Sequence, residues 1–207
     1  MRDAGILRQR GKTAMSRLYL LRHGMTSANE LHQYCGWSDV PLSERGVRLL
    51  QEKKSRKQYP AADGLRIVSS GMKRTDQTLE VLFGYTGAEH CPELREMNFG
   101  QFELHSYEEL RVTEAYQAWI SGDNESHACP DGESGAAMKA RVLAAVQRLC
   151  SSKQDVLVCL HGGPIAAVMQ YYFAAEHKNR YEWQPDFGEG YDICFSPSGL
   201  TYRRLPW

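Results

Sequence analysis

A chain of 207 residues that is 42% hydrophobic and 24% charged has the makeup of one soluble globular domain, long enough to bury a core without crosslinks. Its 25 basic and 25 acidic residues cancel, which removes bulk charge as a drive toward nucleic acid or membrane surfaces. No stretch approaches the roughly 18 apolar residues of a membrane span, and Cys35, Cys91, Cys129, Cys150, Cys159 and Cys194 lack any Cys-x-x-Cys spacing, so they read as reduced thiols of a cytoplasmic protein, with neither a disulfide framework nor a zinc site.

Residues 1–16 carry Arg2, Arg8, Arg10 and Lys12 without the apolar centre of a secretory leader. They read as a flexible N-terminal extension ahead of one domain over 17–207, with Met15 as an alternative start. Gly11-Lys12-Thr13 has the look of a phosphate loop, but it precedes the strand it should follow, and Ile6 stands where the motif needs glycine.

The run Leu18 to Arg22 stops at His23-Gly24 and reads as a strand buried on both faces of a parallel sheet. A loop of about twenty residues follows, after which Ser43 is an N-cap for a helix through Val47, Leu49 and Leu50 toward Lys57. Leu65 to Val68 is a second strand, and a helix through Thr78, Leu79, Val81 and Leu82 ends at Gly84. Residues 90–100 read as a short strand and turn. Leu110, Tyr116, Ala118 and Trp119 predict one helix over Tyr107 to Ile120, lying across the site, and residues 121–126 are a loop whose Asn124-x-Ser126 carries no glycan in a cytosolic chain. Ser134 caps a helix from Met138 to Leu149. The run Val156 to Leu160 then repeats the first pattern, ending at His161-Gly162-Gly163; Ile165 to Tyr172 is helical, and strands near Asp192 to Phe195 and Leu200 to Arg204 close the chain. Alternating strands and helices predict an α/β fold with a mostly parallel sheet. Ligands of such sheets bind beyond the carboxyl ends of the strands, where His23 and His161 project and where the strand before Gly71 delivers Arg74.

The blocks around these residues resemble one family. Arg22-His23-Gly24-Met25-Thr26 with Asn29, Gly36 to Gly46, Ser69 to Thr78, Leu94-Arg95-Glu96-Met97-Asn98-Phe99-Gly100, Gly132-Glu133-Ser134 and His161-Gly162-Gly163 follow the order of the histidine phosphatase superfamily, which also holds the cofactor-dependent phosphoglycerate mutases. The resemblance covers about Leu18 to Pro164. It implies a three-layer α/β/α sandwich of the phosphoglycerate mutase type and hydrolysis of a small phosphate ester through a phosphohistidine.

Chemically, Arg22 and Arg74 offer guanidinium forks that match phosphoryl oxygens, Asn29 offers an amide, and Gly24, Gly162 and Gly163 allow close backbone approach. The resemblance implies that neutral His23 attacks phosphorus and that His161 stands beside it, expected as a cation holding the equatorial oxygens. Glu96 matches the family's acid motif and is the expected proton donor, since a phosphoryl dianion favours the protonated carboxyl; Glu103 is the competing acid. Arg45 reads as a charge on a solvated face. Glu133 either orients the site or opens a helix, Thr26 and Ser70 read as backbone-bonding residues, and Tyr116 and Trp119 as packing. No metal and no cofactor are expected; the partner is a small phosphate ester, not nucleic acid or membrane, and a homodimer stays open.

Two alternatives carry different chemistry. The family's mutases have a Glu-Arg-His-Tyr-Gly block and a long insertion, whereas here the block is Glu96-Met97-Asn98-Phe99-Gly100 and about thirty residues separate Gly100 from Pro130. A non-catalytic phospholigand-binding protein on this fold would have lost a site residue, and all are present. The loop Tyr34 to Ser43 resembles that of α-ribazole phosphatases, which makes α-ribazole 5′-phosphate or a sugar phosphate the candidate substrate. After Phe102-Glu103, where relatives have glycine, this chain has Leu104-His105.

Overall fold

The computed structural model describes residues 16–123, 125–152 and 154–207. The extension expected over 1–16 lies outside these residues except for Ser16, which opens the first strand, and Asn124 lies outside them too. In chain order the elements are β1 (Ser16–Arg22), α1 (Ser27–Glu30), α2 (Glu44–Arg56), β2 (Arg66–Ser69), α3 (Lys73–Phe83), β3 (Glu89–His90), α4 (Tyr107–Leu110), α5 (Glu114–Ser121), α6 (Gly135–Cys150), β4 (Val156–Leu160), α7 (Gly162–Tyr172), α8 (Arg180–Trp183), β5 (Gly190–Ser196) and β6 (Gly199–Leu205).

The strands form one sheet in the order β3-β2-β4-β1-β5-β6. The pairs β1·β4, β2·β4 and β2·β3 are parallel, and β5 runs against both β1 and β6. Side chains alternate across the sheet, so one face takes Leu18, Leu20, Val156, Val158 and Leu160 and the other takes Tyr19, Leu21, Leu157 and Cys159. Helix α6 and helix α7 pack Val142, Val146, Ile165 and Val168 on the first face, and α2 and α3 pack Leu50, Leu79 and Leu82 on the second. All five residues of β4 are buried because helices cover both faces. Each such aliphatic side chain withdrawn from water contributes about 1.5–3 kcal/mol. The expected three-layer α/β/α sandwich is the observed one.

One element differs. The helix expected from Tyr107 to Ile120 is two short helices, α4 and α5, broken at Thr113. The Thr113 hydroxyl donates to the Leu110 carbonyl and accepts the Tyr116 N–H, so it ends one helix and caps the next. The apolar spacing survives the break: Tyr116 and Trp119 are buried, as expected of packing residues.

Candidate active site

β1 and β4 lie side by side, and their following helices leave toward opposite faces, α2 to one core and α7 to the other. That divergence opens a crevice beyond the carboxyl ends of the two strands. His23 and His161 stand at its floor with ring centroids 5.1 Å apart, and both are buried.

His23 Nδ1 lies 2.6 Å from the Gly24 carbonyl, which only accepts, so the network places the proton on Nδ1 and leaves the Nε2 lone pair unused. Burial, then the charges of Arg74 and Arg22, hold this imidazole well below the usual histidine range. Neutral His23 matches the expectation. His161 does not match its expected cation. Its Nδ1 accepts Arg74 Nε–H at 3.3 Å, and its Nε2 therefore carries the proton and donates to Ser70 Oγ at 2.9 Å. Burial and the same guanidiniums push His161 well below its ordinary value. Ser70, expected to bond backbone, is instead the partner of this imidazole and also contacts Thr75 Oγ1.

Arg74 is 1% exposed and sits in the first turn of α3. Its Nη1 and Nη2 donate to the Ser38 and Gly36 carbonyls at 2.9 and 2.6 Å. Each terminal nitrogen keeps a second N–H. Arg22 lies over the Phe187 ring at 4.1 Å and donates from Nη1 to the Pro185 carbonyl. Among the described residues its buried Nε has no hydrogen-bond partner, an orphan donor that an anion would satisfy. Burial lowers both arginines from the usual guanidinium value, with Glu96 opposing the shift of Arg22 and Cys35 and Glu96 that of Arg74.

Asn29 belongs to a capping box: its Oδ1 accepts from the Thr26 N–H and hydroxyl, and its own N–H bonds Thr26 Oγ1. The cap occupies the oxygen, so the amide nitrogen is the end left for a ligand. Gly162 opens α7, where its N–H has no intrahelical acceptor. Gly24 differs from expectation, because its N–H donates to Thr78 Oγ1 at 2.9 Å and its carbonyl serves His23. A Cβ there would press on Leu50 Cδ1 at 2.6 Å. Gly24 orients His23 and packs closely; its N–H is not free for a phosphoryl oxygen.

The two candidate acids part company. Glu96 Oε2 accepts the Gly163 N–H and Oε1 accepts its neighbour's N–H at Met97, both at 2.9 Å. Its carboxylate therefore sits at the first turn of α7 with lone pairs to spare. Glu103 is committed elsewhere: it accepts backbone N–H groups from Gly36, Trp37, Ser38 and Phe99. Glu133 pairs with Arg141 and accepts the Asn98 N–H, while Arg141 donates to the carbonyls of Glu93, Arg95 and Glu96. Glu133 thus orients the acid loop, through Arg141. Arg45 is exposed, as expected.

A cavity of about 170 Å³ opens beside Glu96 and Gly163, walled by Tyr34, Phe99, Arg180, Tyr181 and Gln184 among others. A neighbouring one of about 390 Å³ shares those five residues and reaches Trp119 and Ile120. Neither is walled by His23 or His161; the smaller one borders Glu96 and Gly163. Sequence reasoning missed Arg180, Tyr181 and Gln184. The signal present was Asn179 with Glu182 three residues on, a capping box that starts α8. Among the described residues no three His, Cys, Asp or Glu side chains gather as a metal site, and no helix is long and apolar enough to cross a membrane.

Comparison with known proteins places this geometry. The chain is 29% identical over 201 residues to the adenosylcobalamin/α-ribazole phosphatase of Salmonella typhimurium, covering 92% of this chain and 98% of that protein. It is 34% identical over 143 residues to a Proteus mirabilis protein named probable phosphoglycerate mutase GpmB, covering 64% of this chain and 62% of the other. The solved α-ribazole phosphatase of Shigella flexneri superposes with a TM-score of 0.77 at 28% identity, over 92% of this chain and 96% of that one. Residues 18–206 match the family model of the histidine phosphatase superfamily, branch 1. The two strand-end histidines, the arginines beside them and the match along nearly the whole described chain give one conclusion: this protein belongs to the histidine phosphatase superfamily.

Proposed function

We propose that the chain is a phosphomonoester hydrolase that transfers the phosphoryl group of a small organic phosphate to His23 and then to water. The observation that carries the reading is the tautomer of His23: Nδ1 is tied to the Gly24 carbonyl, so Nε2 faces the crevice as a neutral nucleophile between two guanidiniums. In this reading Arg22, Arg74, the Asn29 amide and the Gly162 N–H hold the phosphoryl oxygens. Attack forms the Nε2–P bond and breaks the ester P–O bond, and Glu96 gives its proton to the departing alkoxide. Water then attacks phosphorus, Glu96 takes up the proton, and His23 is released with inorganic phosphate.

His161 begins neutral. In this reading it stays so, its Nδ1 accepting from Arg74 Nε and its Nε2–H given to Ser70, and it holds Arg74 in place while the guanidiniums supply the charge. The fixed positive charge comes from arginines, which supports a metal-free mechanism. The similarity to α-ribazole phosphatases and the room beside Glu96 support α-ribazole 5′-phosphate or a sugar phosphate as substrate; the free cysteines fit a reducing compartment, which in this reading is the cytoplasm.

Rapid quench of the native protein with a phosphate ester tests the reading. Acid-labile phosphohistidine should appear and decay to free phosphate, and His23→Ala should lower kcat by about 10³-fold or more. Near-native turnover by His23→Ala sinks the assignment. Interconversion of the two phosphoglycerates with little phosphate release would favour the mutase reading suggested by the second relative.

A further inference from the structure

Glu103 sits outside the chemistry proposed above, yet its carboxylate is one of the most heavily bonded groups near the site. Oε1 accepts N–H groups from Gly36, Trp37 and Phe99 at 3.0, 2.8 and 3.1 Å, and Oε2 accepts from Gly36 and Ser38 at 3.0 and 3.1 Å. The same loop turns its carbonyls the other way, where Gly36 and Ser38 accept from Arg74 Nη2 and Nη1. The Gly36 carbonyl and the Trp37 N–H are the two ends of one peptide group, which is planar and trans. A carboxylate at one end and a guanidinium at the other therefore align and polarise that single amide, so each bond strengthens the other.

We infer that Glu103 is the positioning residue of Arg74, acting through the 36–38 loop, so that Arg74 keeps one N–H of each terminal nitrogen aimed into the crevice. The assignment rests on the reading of Arg74 as a phosphoryl ligand. Three further features agree. Gly36 has no room for a side chain, since a Cβ would run into the Met97 carbonyl and lie 2.8 Å from Glu103 Oε1. Asp39, the next residue of the loop, accepts the Lys73 N–H at 2.7 Å, tying the loop to the residue before Arg74. Phe99, also held by Glu103, belongs to the segment that carries Glu96, so one carboxylate sets the register between the acid loop and the arginine. Replacing it by an amide puts an NH2 group against backbone donors and breaks the alignment.

A double-mutant cycle read by calorimetric binding of inorganic phosphate to the full chain tests this. Glu103→Gln should weaken phosphate about tenfold when Arg74 is present and by less than about twofold in the Arg74→Ala background. Equal losses in both backgrounds, or no loss in the first, overturn the positioning role while leaving the phosphatase reading intact. Unchanged phosphate binding by Arg74→Ala alone overturns the underlying reading of Arg74 and the proposal with it. In turnover, kcat/KM of Glu103→Gln should fall by the same factor for alkyl and aryl phosphates; a loss confined to poor leaving groups would make Glu103 the proton donor and sink the proposal. If Glu103→Gln melts below the assay temperature, Glu103→Asp carries the same cycle, with a smaller loss that again must vanish without Arg74.

Discussion

The carboxylate of Glu96 accepts the Gly163 N–H at 2.9 Å, two residues beyond His161, so the acid loop and the second histidine meet in the first turn of α7. The Glu96 carboxylate is therefore fixed relative to the imidazoles by one backbone bond. A Cβ at Gly163 would run into the same carboxylate.

That contact sets the first prediction. Glu96→Gln should slow single-turnover phosphoryl transfer by about 10²–10⁴-fold for alkyl phosphates and much less for nitrophenyl phosphate, whose leaving group needs no proton. Gly163→Ala should copy the pattern in weaker form by displacing the carboxylate. Equal slowing of both esters by Glu96→Gln would remove Glu96 as the acid.

Acid should loosen the fold through the two histidines. Burial and the neighbouring arginines hold both far below the histidine value near 6.5 that an unfolded chain shows. Their folded values are depressed, so the native state has its full stability above about pH 6.5. As pH falls from there toward the depressed values, the unfolded chain takes up protons the native chain refuses, and stability drops by up to about 1.4 kcal/mol per pH unit for each histidine. Urea midpoints between about pH 8 and 5 should show this slope, and His161→Gln should flatten it. Parallel profiles would mean that His161 is not held neutral.

Chelation should leave turnover unchanged, because Arg22 and Arg74 supply the charge that a metal would otherwise bring. Dialysis against EDTA followed by kcat measurement checks it. A loss restored by one divalent ion alone would reject the metal-free mechanism.

Leu104 has φ of 60° and is 41% exposed. The left-handed region costs a non-glycine residue about 1–2 kcal/mol, while the extra unfolded freedom of glycine returns about 0.5–1 kcal/mol of that. Leu104→Gly should therefore stabilise by about 0.5–1 kcal/mol, keeping the bond from the residue 104 N–H to the Tyr34 carbonyl in place. A lower urea midpoint would show that the leucine side chain has contacts worth more than the strain.

Much of the site is legible in the sequence because strand ends are. The apolar runs of β1 and β4 stop at histidines, and parallel neighbours bring their ends together; Arg74 follows from the same logic one strand over. What stays hidden depends on partners distant in the chain. The neutrality of His161 comes from burial and from Arg74, 87 residues away, and its tautomer from Arg74 and Ser70, the latter 91 residues away, and no local pattern states it. Glu103 reads as a second acid because four loop amides converge on it only after folding. The break at Thr113 is invisible for another reason: Leu110, Tyr116 and Trp119 keep helical spacing on both sides of it, and only the hydroxyl's two bonds mark the end of one helix and the start of the next. The wall formed by Arg180, Tyr181 and Gln184 lies on a single helical turn, too short for periodicity to register.

Both imidazoles of this crevice are uncharged while both guanidiniums are permanent cations, so the attraction for an anion does not rely on a group that titrates near neutrality. A pocket charged by histidine would release its anion as the medium turns alkaline. This one keeps hold of it, and free phosphate, once formed, goes on competing with fresh ester in mildly basic solution.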